Sequence, residues 1–86
     1  MEWRPDLRVL ARCLDCLAKR DALMLRSHLA RAAGAKYDIV RRYVAYLQAK
    51  GLLVVEGDEP RIRITAAGRQ WRDRLLAWLT ELFGAL

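Results

Sequence analysis

Apolar residues along this chain recur in two rhythms, a helical one of three to four residues and, for one short stretch, strict alternation. Leu7, Leu10, Leu14 and Leu17 repeat at helical spacing opposite Arg8, Arg12, Asp15 and Lys19. This predicts a first helix over residues 5–19, opened by Pro5 and Asp6. Val9, Cys13 and Cys16 add a second apolar flank, wider than one partner helix requires, which reads as deeper core or a subunit contact. The apolar run Ala22 to Arg26 reads as a minimal strand. Ser27 is the expected N-cap of a second helix over residues 27–33, with Leu29 and Ala30 inward and Gly34 as its stop. Val40, Tyr43, Val44 and Leu47 form the stripe of a third helix over residues 36–50, with Gly51 just beyond it.

The rhythm then changes. Leu52 to Val55 is rich in β-formers, and Arg61-Ile62-Arg63-Ile64-Thr65 alternates polar with apolar. Glu56-Gly57-Asp58-Glu59-Pro60 between them carries turn chemistry, so residues 52–65 are expected to form a hairpin. Thr65 is placed to cap a last helix over residues 66–84, and Gly68 in its first turn marks close approach to another backbone. Its stripe comprises Trp71, Leu75, Trp78, Leu79, Leu82 and Leu86, widened by Leu76 and Phe83. Such a helix spans roughly 27 Å. A chain of 86 residues has little else to cover so much apolar surface, so the stripe is expected to meet the same helix of a second copy. The order predicts a mainly α fold with a small β-hairpin wing. It is a winged helix-turn-helix in one domain spanning 1–86, with a C-terminal dimerisation helix.

Composition narrows the partners. With 55% apolar and 30% charged residues the chain is globular, and no apolar run reaches the ~18 residues of a membrane span. The charged N-terminus MEWRPDLR does not read as a signal peptide, which leaves the cytoplasm as the expected location. Most of the net charge of +6 lies in residues 26–50, where six cations face Asp38 alone. Residues 51–86 are balanced. Localised basicity is the footprint of a nucleic-acid binder. The absence of Asn, with 13 Arg among 16 cations, hints at a thermophile or a GC-rich genome.

Taking Val40 as the inward direction, Asp38, Arg42, Ala45 and Ala49 point outward with Arg41 on the flank, and Lys36 and Tyr37 stand at the N-terminal end. Lys36 and Arg42 are expected on phosphates, and Arg41 or Tyr37 at base edges, since Arg pairs bidentately with guanine. Arg26 and His28 are expected to flank the DNA backbone near the start of the second helix. The wing tip bears Glu56, Asp58 and Glu59, so either the wing leans away from DNA or only Arg61 and Arg63 touch it.

Cys13 and Cys16 have CxxC spacing but sit mid-helix, and with a single histidine in the chain they do not complete a zinc site. They read as small, partly buried apolar residues, with an intersubunit disulfide or a shared metal as the alternative. No cofactor is expected. Catalysis is not expected either, for the chain has no Gly-rich phosphate loop, paired carboxylates or nucleophile–base set.

Taken in order, Tyr37-Asp38-Ile39-Val40-Arg41-Arg42-Tyr43-Val44, then Leu47 and Lys50-Gly51-Leu52, then Ile64-Thr65-Ala66-Ala67-Gly68, resemble the archaeal ten-kilodalton class a family of chromatin-associated winged-helix proteins and related small regulators. The family phrase has Leu where this chain has Ile64, and the match covers about residues 22–75. The resemblance implies a nucleoid-associated homodimer joined by antiparallel C-terminal helices, each lobe bearing one surface for double-stranded DNA. The last helix here is short for a coiled-coil rod, which implies a compact dimer. The competing expectation is a winged helix serving as a protein-interaction module, favoured by the acidic wing and the apolar last helix.

Overall fold

The structure, a computed structural model, describes residues 3–20 and 23–84. Its elements are α1 (Leu7–Lys19), β1 (Met24–Leu25), α2 (Arg26–Ala33), α3 (Tyr37–Ala49), β2 (Leu53–Glu56), β3 (Arg61–Ile64) and α4 (Ala66–Phe83). Pro5 lies outside α1. The helix is capped by Asp6, whose Oδ1 accepts from the amides of Arg8 at 2.8 Å and Val9 at 3.4 Å.

The expected cap at Ser27 is not there. Leu25 occupies the N-cap position of α2 and makes no side-chain cap. Leu25 also pairs with Arg61 across the sheet, so the backbone passes from strand to helix with no loop in which a polar cap would sit. The α2–α3 turn rests on Gly34, whose φ of +67° is strained for any residue with a β-carbon. Its amide satisfies the last carbonyls of α2, and α3 begins three residues later.

The sheet has the order β1-β3-β2, antiparallel throughout, with Val55 opposite Ile62 and Leu53 opposite Ile64. Inward residues of the hairpin, Leu53 and Ile62, join Leu14, Leu29, Val40, Val44 and Leu47 in the core. Cys13 is part of that core, and Val9 and Cys16, each half-buried, pack against it, so the second flank of α1 serves the chain's own core. Leu7, despite its place in the leucine stripe, is 44% exposed.

α4 is fixed at its start and along the side that meets α1. Gly68 sits so close to the Leu52 carbonyl oxygen that a β-carbon would overlap it, and Ile64 Cγ1 would be 2.7 Å away. The Thr65 hydroxyl accepts from the Gly68 amide at 3.0 Å and donates to the Gly51 carbonyl at 2.8 Å, joining the start of α4 to the end of α3. On the α1 side, buried Asp15 meets Lys19 Nζ at 2.9 Å and Arg72 Nη1 at 3.5 Å. Arg69 Nη1 donates to the Ala18 carbonyl at 3.3 Å, covering one of the open carbonyls at the end of α1.

This packing corrects the expected seam. Leu79 is only 3% exposed within the single chain, because α4 turns that side onto its own core. Leu75 is half-buried against the same core. Trp71, Trp78, Leu82 and Phe83 remain exposed, and Leu86 lies outside the described residues.

Candidate nucleic-acid interface

The outer face of α3 is exposed from Lys36 through Arg42, apart from Val40. Asp38, Arg41, Arg42 and Ala45 line a groove of about 380 Å³ along it. The small Ala45 adds little bulk to its lining, and Arg41 and Arg42 are both exposed. Helical spacing explains the grouping, since residues 38, 41, 42 and 45 are neighbours on one helix surface. Tyr37 is exposed at the first turn, and Lys36 occupies the N-cap position without a side-chain cap, leaving its ammonium free of the helix end.

The other expected contacts are less available. Arg26 is half-buried, and its Nε is enclosed with no hydrogen-bond partner among the described residues. Its position at the first residue of α2, directly after a paired strand, holds it against the chain. His28 is exposed one turn into α2. On the hairpin, Arg63 Nη2 lies 2.6 Å from Glu56 Oε1, and Arg61 Nη2 lies 3.6 Å from Glu59 Oε2. The two hairpin arginines are therefore neutralised by the acidic residues flanking them, and the hairpin offers little free positive charge.

Residues ahead of α1 also reach this face. The Trp3 ring stands edge-on to Tyr43, with centroids 5.2 Å apart, and to Tyr46, 5.4 Å apart. The Tyr43 hydroxyl accepts from the Asp6 amide at 2.8 Å. Periodicity marks Tyr43 only as an apolar stripe residue, and no local pattern connects it to residues 37 positions earlier. An aromatic before a proline at the chain's start was the one available signal.

Burial pushes the Cys13 thiol up to about 12 and raises that of Cys16, so neither is a ready nucleophile at neutral pH. Among the described residues no three His, Cys, Asp or Glu side chains gather as a metal site. No helix of the described residues is long and apolar enough to cross a membrane.

No protein-family profile matches the chain, and no curated protein sequence does. Solved structures match it closely in shape. A MarR-family transcriptional regulator from Silicibacter pomeroyi superposes with a TM-score of 0.75 at 29% identity, over 88% of this chain and 56% of that one. The DNA-binding protein Sso10a-2 from Sulfolobus solfataricus superposes with a TM-score of 0.75 at 18% identity, over 90% of this chain and 80% of that one. The M. tuberculosis regulator MosR, solved in complex with DNA, gives 0.73 at 20% identity, over 87% and 62%. The fold is a winged helix. In this winged helix α2 and α3 form the helix-turn-helix, the β2–β3 hairpin is the wing, and α4 follows the wing as the closing helix. The chain spans about half the length of the Silicibacter regulators it matches.

Proposed function

We propose that this chain binds double-stranded DNA as a homodimer, with α3 in the major groove, and acts as a transcriptional regulator or nucleoid-associated chromatin protein. The observation that carries the reading is the open groove between Arg41 and Arg42 on the exposed face of α3, in a fold shared with DNA-binding regulators. Lys36 and Arg42 take phosphates, Arg41 and Tyr37 reach base edges, and His28 flanks the backbone. Arg61 and Arg63 contribute only if DNA displaces their carboxylate partners. The reading assigns no catalysis and no cofactor. The homodimer is supported by the exposed Trp71, Trp78, Leu82 and Phe83 on α4, an apolar surface that a second α4 would cover. The resemblance of residues 22–75 to the archaeal ten-kilodalton class a family supports the chromatin role and an archaeal source.

Binding to random and genomic duplex fragments across a salt series tests this reading. DNA binding through α3 gives a log–log salt slope of about −0.9 per phosphate contact, and Arg42→Ala makes it shallower by about one unit per lobe. Affinity and slope untouched by both Arg41→Ala and Arg42→Ala would overturn it. The self-neutralised wing then favours the second reading, a winged helix that binds another protein through α4.

A further inference from the structure

Residues 3–6 cross the flank of α3 and are fixed to it at both ends. Trp3 is held edge-on by Tyr43 and Tyr46, and the Asp6 amide is held by the Tyr43 hydroxyl while the Asp6 carboxylate caps α1. Pro5 between them limits the backbone. The Trp3 ring in turn receives Arg42, whose guanidinium carbon lies 5.6 Å from the ring centroid. Trp3, Asp38, Ile39, Arg42 and Tyr43 enclose a cleft of about 190 Å³ beside the wider α3 groove. Arg42 and Asp38 line both, and so stand on the ridge between them.

Asp38 is four residues before Arg42, the spacing at which an acid and an arginine commonly pair on a helix. The two form no ion pair here, whereas Arg61 and Arg63 on the wing are both paired with acids. A ring contact has a different consequence from a carboxylate contact. A ring, unlike a carboxylate, carries no oxygen to accept the guanidinium N–H groups and no negative charge to neutralise them.

We propose that Trp3 is a positioning residue for DNA binding, holding Arg42 away from Asp38 with its donor edge presented to a phosphate. This rests on the DNA-binding reading above. A phosphate then meets a cation already oriented and not already neutralised, which reduces the side-chain ordering lost on contact.

The test is affinity for a random-sequence duplex at several salt concentrations, with folding checked by circular dichroism and thermal midpoint. Trp3→Leu keeps apolar bulk but removes the π face, and it is expected to weaken binding about two- to fivefold, the scale of an exposed cation–π contact. Trp3→Phe retains most of the affinity. In an Arg42→Ala background Trp3→Leu has no further effect, since the residue acts through Arg42. An equal loss with and without Arg42, or no loss from Trp3→Leu in the wild-type background, overturns the positioning role while leaving DNA binding intact. A wild-type protein that binds no duplex sinks the functional reading and this inference together.

Discussion

Gly68 in the first turn of α4 lies directly against the carbonyl oxygen of Leu52, at the point where the wing leaves α3. The same carbonyl accepts from the Thr65 amide at 3.1 Å, so the backbone cannot withdraw without losing that bond. Gly68→Ala is expected to destabilise the fold by about 1–3 kcal/mol through overpacking. A denaturant midpoint equal to wild type would show that the contact gives way freely.

Asp15 is the one acidic residue with a buried side chain among the described residues, and it anchors α1 to α4 through Arg72. Asp15→Ala leaves the partly enclosed Arg72 without that partner and should cost about 1–3 kcal/mol. Lys19→Ala removes an exposed partner and should leave the unfolding midpoint unchanged. Equal effects from the two substitutions would contradict the assignment of Arg72 as the partner that matters.

Cys13 predicts an alkaline limit. Its folded pKa, about 12, lies above the ordinary thiol value of 9.0 because burial disfavours the thiolate. The stability tied to the protonated thiol is therefore complete below pH 9 and is lost as pH rises from 9 toward 12. Wild-type stability should fall more steeply over that interval than that of Cys13→Ala. Parallel pH profiles for the two proteins would refute this. At neutral pH a thiol reagent should label Cys16 before Cys13.

Trp78 and Leu82 are 58% and 61% exposed, while Leu79 between them is buried. The double substitution Trp78→Glu with Leu82→Glu should yield a folded monomer. Leu79→Asp should instead unfold the chain itself, because the charge enters its own core. Light scattering with circular dichroism distinguishes these results. A wild-type protein that is monomeric at micromolar concentration removes the homodimer.

The wing arginines can be freed from their ion pairs. Glu56→Gln releases Arg63, and Glu59→Gln releases Arg61. If the wing lies near phosphate, the double variant should bind DNA more tightly and with a steeper salt slope, by up to about 0.9 for each additional phosphate engaged. An unchanged slope would mean that the wing leans away.

The elements carried by local pattern were legible in the chain itself. The stripe Val40, Tyr43, Val44 and Leu47 is buried in α3, and the alternation of Arg61 to Ile64 is an observed strand. Gly68 could be read as a close approach because a glycine early in an otherwise well-formed helix needs a packing reason. What was not legible depends on pairs distant in sequence. β1 displaces the cap from Ser27 because Leu25 pairs with Arg61, and Leu79 is interior because α4 folds back on α1. Helical periodicity locates an apolar face but does not say whether it meets its own chain or another. Trp3 and Asp6 reach Tyr43 across the fold, and the pairing of Arg61 and Arg63 with their neighbours shows only in side-chain geometry.

The Thr65 hydroxyl, bonded both to the Gly51 carbonyl and to the Gly68 amide, leaves almost no slack between α3 and α4. Two copies paired through α4 would then act as a ruler. The separation of their α3 helices would be set by the joint at Thr65, and only duplexes whose successive major grooves match that length could be read by both lobes at once.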